Sequence, residues 1–206
     1  MCDPGDVVLV PNPGYPVFGM GPQLMGAKVE TYPLYAENNF LPDFADIPEE
    51  TAKATKFMII SYPANPVCSV ADDSFYEKAI AFAKKYNVIL LHDNAYSDII
   101  FGGKEGKSFL SYPGAMEVGI EFYSLSKSYN MTGMRISFAL GNKDVIQMFR
   151  KVRSQIDYGI FLPVSYTHLD VYKRQVLDLW IMDLISVEKA LRRRRHDDYG
   201  ETVECI

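Results

Sequence analysis

The chain of 206 residues is 48% hydrophobic and 23% charged, ordinary globular proportions that exclude a disordered chain and suit one well-packed domain, or one large domain with part of a second. Its formal charge of -5 argues against a nucleic-acid partner, whose phosphates need a basic surface. No apolar run approaches the roughly 20 residues that cross a bilayer, so no membrane partner is expected.

Short apolar runs alternate with segments of helical period, the pattern of an α/β domain with a mostly parallel sheet and flanking helices. In chain order, a strand over Val7 to Val10 leads into Pro11-Asn12-Pro13-Gly14-Tyr15-Pro16, and a second covers Lys28 to Tyr32. A third, Phe57 to Ser61, ends in Ser61-Tyr62-Pro63-Ala64-Asn65-Pro66. Asp72 to Tyr86 reads as a helix, with Asp72, Asp73 or Ser74 as its cap and Phe75, Ile80, Phe82 and Ala83 along one face. The strand Val88 to His92 runs into Asp93-Asn94-Ala95-Tyr96, and the polar loop Gly102 to Lys107 is the one candidate linker. Strands at Glu121 to Leu125 and Arg135 to Leu140 flank a polar motif, and a helix follows from Lys143 to about Ser154.

The polar motif, Ser124-Leu125-Ser126-Lys127-Ser128-Tyr129-Asn130-Met131-Thr132-Gly133-Met134-Arg135, carries the densest chemistry. A lone lysine is usually a solvated charge. At a strand end, where α/β ligands collect, an amine can instead join a carbonyl cofactor as an imine. Ser124, Ser126 and Arg135 are phosphate-binding types, arginine through its bidentate fork, and Gly133 would let the backbone turn before Arg135. Asp93 fits two roles. It can cap a following helix, or it can hold a pyridine nitrogen protonated. Tyr96 can hydrogen-bond a ring hydroxyl. By themselves the two proline-rich segments are turns.

In order and spacing these four clusters resemble the fold type I, class I/II aminotransferases that use pyridoxal 5'-phosphate. The resemblance runs from Met1 to about Pro163, and Ser154-Gln155-Ile156-Asp157-Tyr158-Gly159 with Ser61-Tyr62-Pro63-Ala64-Asn65-Pro66 is most similar to the LL-diaminopimelate aminotransferase-like subgroup. It implies a three-layer α/β/α cofactor-binding large domain over residues 1–163. Lys127 is then the catalytic amine that joins the cofactor, with Asp93 at the pyridine nitrogen, and Tyr96 and Asn65 at the ring hydroxyl. Ser124, Ser126 and Arg135 hold the phosphate, and Tyr15 stacks on the ring. The implied reaction moves an amino group between an amino acid and a 2-oxo acid in a cytoplasmic homodimer. A carbon–sulfur β-lyase and a non-catalytic cofactor-binding regulatory module remain alternatives of the same fold. The chain reads Asn65-Pro66-Val67-Cys68 where the family commonly has Asn-Pro-Thr-Gly. The family's glycine-rich phosphate loop would precede Met1, and its carboxylate-clamping arginine would follow Pro163. The piece is therefore expected to lack transaminase activity alone.

Other signals carry less. Residues 164–175 read as translated sequencing adapter, and residues 176–206 as a tail of possibly foreign origin in which Val176 to Leu191 suits a helix and the Arg192 to Arg195 run its solvated end. Gly106-Lys107-Ser108 lacks the first glycine of a P-loop, and no dinucleotide-binding glycine motif is present. Cys2, Cys68 and Cys205 are odd in number and widely spaced, matching neither a disulfide framework nor a metal site and pointing to a reducing cytoplasm. The N-terminus lacks signal-peptide order. His92, closing a buried strand, is expected to be a hydrogen-bonded structural residue.

Overall fold

The computed structural model describes residues 2–102, 106–156 and 203–205. They contain one seven-stranded sheet ordered β2-β1-β3-β4-β5-β6-β7. Its strands are β1 (Val7–Asn12), β2 (Lys28–Pro33), β3 (Thr55–Ser61), β4 (Ile89–Asp93), β5 (Gly119–Ser124), β6 (Ser137–Gly141) and β7 (Val203–Cys205). The pairings from β2 through β5 are parallel, and β5–β6 and β6–β7 are antiparallel. The expected mostly parallel sheet is therefore present. The adapter-like stretch lies outside the described residues, as does the rest of the tail apart from β7.

Continuous apolar runs become the inner strands because both sheet faces are covered. Five of the six β1 residues are buried, as are six of the seven in β3. On one face Leu9, Met58, Ile60 and Leu90 pack with Phe75, Tyr76, Ile80, Phe82 and Phe109. On the other, Val8, Val10, Phe57 and Ile59 meet Phe18 and Ala27, while Ile120 and Ala139 meet Val145 and Ile146. The first layer includes α3 (Asp73–Tyr86) and the second α1 (Val17–Leu24) and α6 (Lys143–Arg153), giving α/β/α. Each large apolar side chain buried this way contributes roughly 1.5–3 kcal/mol.

The α3 helix starts where Asp72 accepts a hydrogen bond from the Phe75 amide at 2.9 Å, and it stops at Asn87, whose φ of 57° is left-handed. Short helices α2 (Glu49–Ala54), α4 (Ala115–Val118) and α5 (Leu125–Ser128) complete the set used below. The expected strands all recur with bounds shifted by one or two residues, and two of the shifts fall in the polar motif. Leu125 begins α5 because Ser124 caps that turn, and Arg135 precedes β6 with a left-handed φ of 54°. The Gly102 to Lys107 loop is not a linker between domains, since β4 before it and β5 after it are neighbours in one sheet. At the β5–β6 switch Gly141 has φ 140°, and a Cβ there would overlap the backbone of Gly119 and Ile120, so only glycine fits.

Candidate active site

Parallel pairing brings the C-terminal ends of β1, β3, β4 and β5 to one edge of the sheet. With neighbouring strands about 4.8 Å apart, these ends span about 15 Å. Every residue expected from sequence to hold a cofactor lies on these ends, on the loops that leave them, or just before β6.

The β3 end carries Asn65 in a turn closed by Cys68 N–H donating to the Ala64 carbonyl at 2.7 Å and Ala64 N–H to the Ser69 carbonyl at 2.9 Å. The Asn12-Pro13, Tyr62-Pro63 and Asn65-Pro66 bonds are cis. Where the family commonly has glycine, Cys68 takes the left-handed conformation, φ 57°. Asn65 Nδ2 donates to the Tyr96 hydroxyl at 3.4 Å, joining the loops after β3 and β4.

Asp93 is the last residue of β4, opposite Ser61 of β3 and Phe122 of β5. It caps no helix: the 3₁₀ turn that follows, Ser97–Ile99, has Tyr96 at its N-cap and no side-chain cap bond. Burial pushes the Asp93 carboxyl above the ordinary aspartate value, with His92 and Ser61 pulling the other way. No Lys, Arg or His forms a salt bridge with it among the described residues. A desolvated carboxyl lacking a cation suits a protonated ring nitrogen. Next to it, Asn94 is 2% exposed and its Oδ1 has no hydrogen-bond partner among the described residues.

The β5 end supplies the amine. Ser124 Oγ accepts from the Ser126 amide at 3.2 Å and so opens α5, on which Lys127 is exposed and forms no ion pair among the described residues. Ser128 Oγ beside it is buried without a partner among the described residues. The chain then folds back: Thr132 Oγ1 donates to the Ser126 carbonyl at 2.9 Å, Arg135 Nη1 donates to the Thr132 carbonyl at 3.1 Å, and Ser124 pairs with Ser137. These contacts tie Ser124, Ser126 and Arg135 into one short return segment. The turn is made differently than expected. Left-handed residues are Asn130 (φ 53°) and Arg135, and a Cβ on Gly133 would meet nothing within 4 Å. Tyr15 is 48% exposed after β1, and its described ring contact is with Phe18, edge-on at 5.9 Å, not with the other expected ligands.

His92 is fully buried and its Nδ1 lies 2.8 Å from Glu121 Oε2, as expected of a structural histidine. A carboxylate only accepts, so Nδ1 carries the hydrogen. Glu121 also accepts from Ser108 Oγ at 2.9 Å and the Phe109 amide at 2.7 Å. Burial pushes its carboxyl up, and these three bonds outweigh it, leaving the group below the ordinary glutamate value. Glu121 escaped the sequence reading because nothing local tells which strand faces His92.

The chain is similar to known proteins in both sequence and fold. Residues 1–166 match the family described as aminotransferase class I and II. LL-diaminopimelate aminotransferase of Moorella thermoacetica is 49% identical over 164 residues, 80% of this chain and 42% of that protein. Its counterpart in Dehalococcoides mccartyi is 45% identical over 204 residues, 99% of this chain and 51% of that one. Among solved structures, substrate-bound BacF of Bacillus subtilis superposes with a TM-score of 0.75 at 44% identity, covering 77% of this chain and 40% of that one. A probable N-succinyldiaminopimelate aminotransferase of Thermus thermophilus gives 0.73 at 34% identity, over 77% and 42%. The chain spans about half the length of the curated relatives it matches. Sequence and fold together place it in one family: the chain belongs to the class I and II aminotransferases.

Proposed function

We propose that the chain is the cofactor-binding part of a pyridoxal-phosphate-dependent transaminase that moves an amino group between an amino acid and a 2-oxo acid. The observation that carries this reading is the common edge shared by Asp93, the Asn65–Tyr96 pair, Lys127 and the Ser124–Ser126–Arg135 corner. Bound pyridoxal phosphate supplies an electron sink that stabilises negative charge at the substrate α-carbon.

The residues of the chain divide the remaining work. Asp93, whose charged form is destabilised by burial, gains most by facing a ring N–H and so keeps that nitrogen protonated. Asn65 and Tyr96 direct a donor pair at the ring oxygen. Arg135 and the two serines hold the phosphate by charge and hydrogen bonds, fixing the ring in place. Lys127 Nζ holds the cofactor at rest and, when free, carries a proton to and from the substrate α-carbon. The names of the relatives favour LL-diaminopimelate as amino donor for the whole protein. A homodimer is the proposed assembly.

The test is titration of the 206-residue chain with pyridoxal phosphate, followed by visible absorbance, beside Lys127→Ala. A band that needs Lys127 supports the reading, and a band that survives Lys127→Ala overturns it. Transaminase assays of an intact reading frame with LL-diaminopimelate, glutamate and a panel of oxo acids then test the reaction and the donor. The piece alone is expected to show no turnover.

A further inference from the structure

The buried His92–Glu121 pair is not among the residues proposed above to hold the cofactor, yet His92 stands one residue from Asp93. His92 and Glu121 are direct register partners across β4 and β5, as are Asp93 and Phe122. Because successive strand residues face opposite ways, the pair lies on the α3 side of the sheet, where the His92 ring packs edge-on to Tyr76 at 5.5 Å and Phe109 at 5.8 Å. Asp93 lies on the other side. The surrounding layer is apolar, so a carboxylate with three donors there makes a directional demand that leucine or valine does not. The ionisable groups around the pair are Asp93, which feels the His92 charge, Tyr76 and, beyond it, Tyr62, Asp73 and Tyr112.

A one-residue slip of β4 on β5 would turn Asp93 to the wrong face and change its height relative to Ser124 and Lys127. Apolar neighbours such as Leu91 and Ile120 tolerate sliding contacts, whereas a hydrogen bond of 2.8 Å does not. Fixing register is the best-attested use of buried polar groups. Resting on the function proposed above, we infer that His92 and Glu121 are positioning residues that lock β4 to β5 in the register that sets Asp93 opposite Phe122, two residues before Ser124, and so at a fixed distance from the segment that carries Lys127. Glu121 also ties down the Ser108–Phe109 turn, so one carboxylate fixes a strand and the loop entering the next.

Two full-chain variants separate positioning from general stability. His92→Asn keeps an N–H donor near the Nδ1 position, and His92→Leu removes it at similar bulk. The first readout needs no cofactor. Asn94 N–H donates to the Phe122 carbonyl at 2.8 Å, just past the pair, so its hydrogen exchange reports the register directly. The second readout is pyridoxal phosphate affinity from the Lys127-dependent band. His92→Leu is expected to lower Asn94 protection relative to Ile60 on β3, and to weaken the cofactor about tenfold, the scale on which supporting partners act. His92→Asn should stay within about twofold of the parent on both. Unchanged Asn94 protection in His92→Leu, a uniform loss at every sheet amide, or an asparagine variant as impaired as leucine would overturn the inference. If His92→Leu does not fold, His92→Met, which also removes the Nδ1 donor on a more adaptable apolar side chain, is read in the same way. A parent chain without a Lys127-dependent band defeats the proposed function, and the exchange comparison still decides the register claim.

Discussion

Asn65 and Tyr96, 31 residues apart on loops from adjacent strands, meet through a hydrogen bond of 3.4 Å, longer than the roughly 2.7–3.2 Å of a well-formed N–H···O bond. Each group therefore keeps capacity for a third partner. Asn65→Ala and Tyr96→Phe are each expected to weaken pyridoxal phosphate about two- to tenfold, the value of a single net hydrogen bond. Combined, they should cost less than the product of the two effects because they act on one oxygen and on each other. Equilibrium titration of the four proteins measures this, and full multiplicativity would count against a shared contact.

Asp93 carries an opposed pair of effects. Its folded pKa lies above the unfolded one, so the folded cofactor-free chain binds more protons than the unfolded chain as pH rises above the ordinary aspartate value. Its contribution to stability consequently falls across that window and is most favourable in acid. Asp93→Asn removes the titration. We expect it to stabilise the cofactor-free chain near neutral pH and to flatten this part of the pH–stability curve. Cofactor affinity should drop about 10- to 100-fold, the worth of a hydrogen bond to a charged group. Urea melts from pH 3 to 8 and a cofactor titration test both halves.

Arg135 can be separated from the ring-binding residues by its ligand. Arg135→Lys keeps the charge and loses the planar fork, so affinity for pyridoxal phosphate should fall about tenfold while affinity for pyridoxal, which lacks phosphate, stays the same. Equal losses for both compounds would remove Arg135 from the phosphate site.

Cys68 holds a left-handed conformation that costs a non-glycine residue roughly 1–2 kcal/mol. It is exposed, so little packing is lost with its side chain. Cys68→Gly should raise unfolding free energy by about 1 kcal/mol without altering the m-value. Chemical denaturation decides the sign.

The legible parts of this molecule were those set by local pattern. Apolar β1 and β3, a polar cap for α3 within Asp72 to Ser74 and the four polar strand ends are all readable, because burial on two faces and side-chain capping leave marks within a few residues. The Asp93 cap reading failed for a related reason: an aspartate after a strand looks alike whether it turns to a helix or to a ligand. The Gly133 turn failed because Asn130 and Arg135 can take the left-handed conformation themselves. Helix α1 was not singled out, since Gly19, Gly21 and Pro22 interrupt its pattern. Glu121 was invisible for want of a register, and strand register is a property of the folded sheet.

The antiparallel turn from β5 to β6 has a consequence for how the site tolerates change. Lys127 and Arg135 sit on one short return segment, whereas Asn65 and Asp93 arrive by separate crossovers. An insertion between Lys127 and Arg135 would alter the spacing of amine and guanidinium directly. One in the 67–72 connection leaves that spacing untouched. The return segment is thus the one stretch whose length sets directly how far the amine stands from the guanidinium.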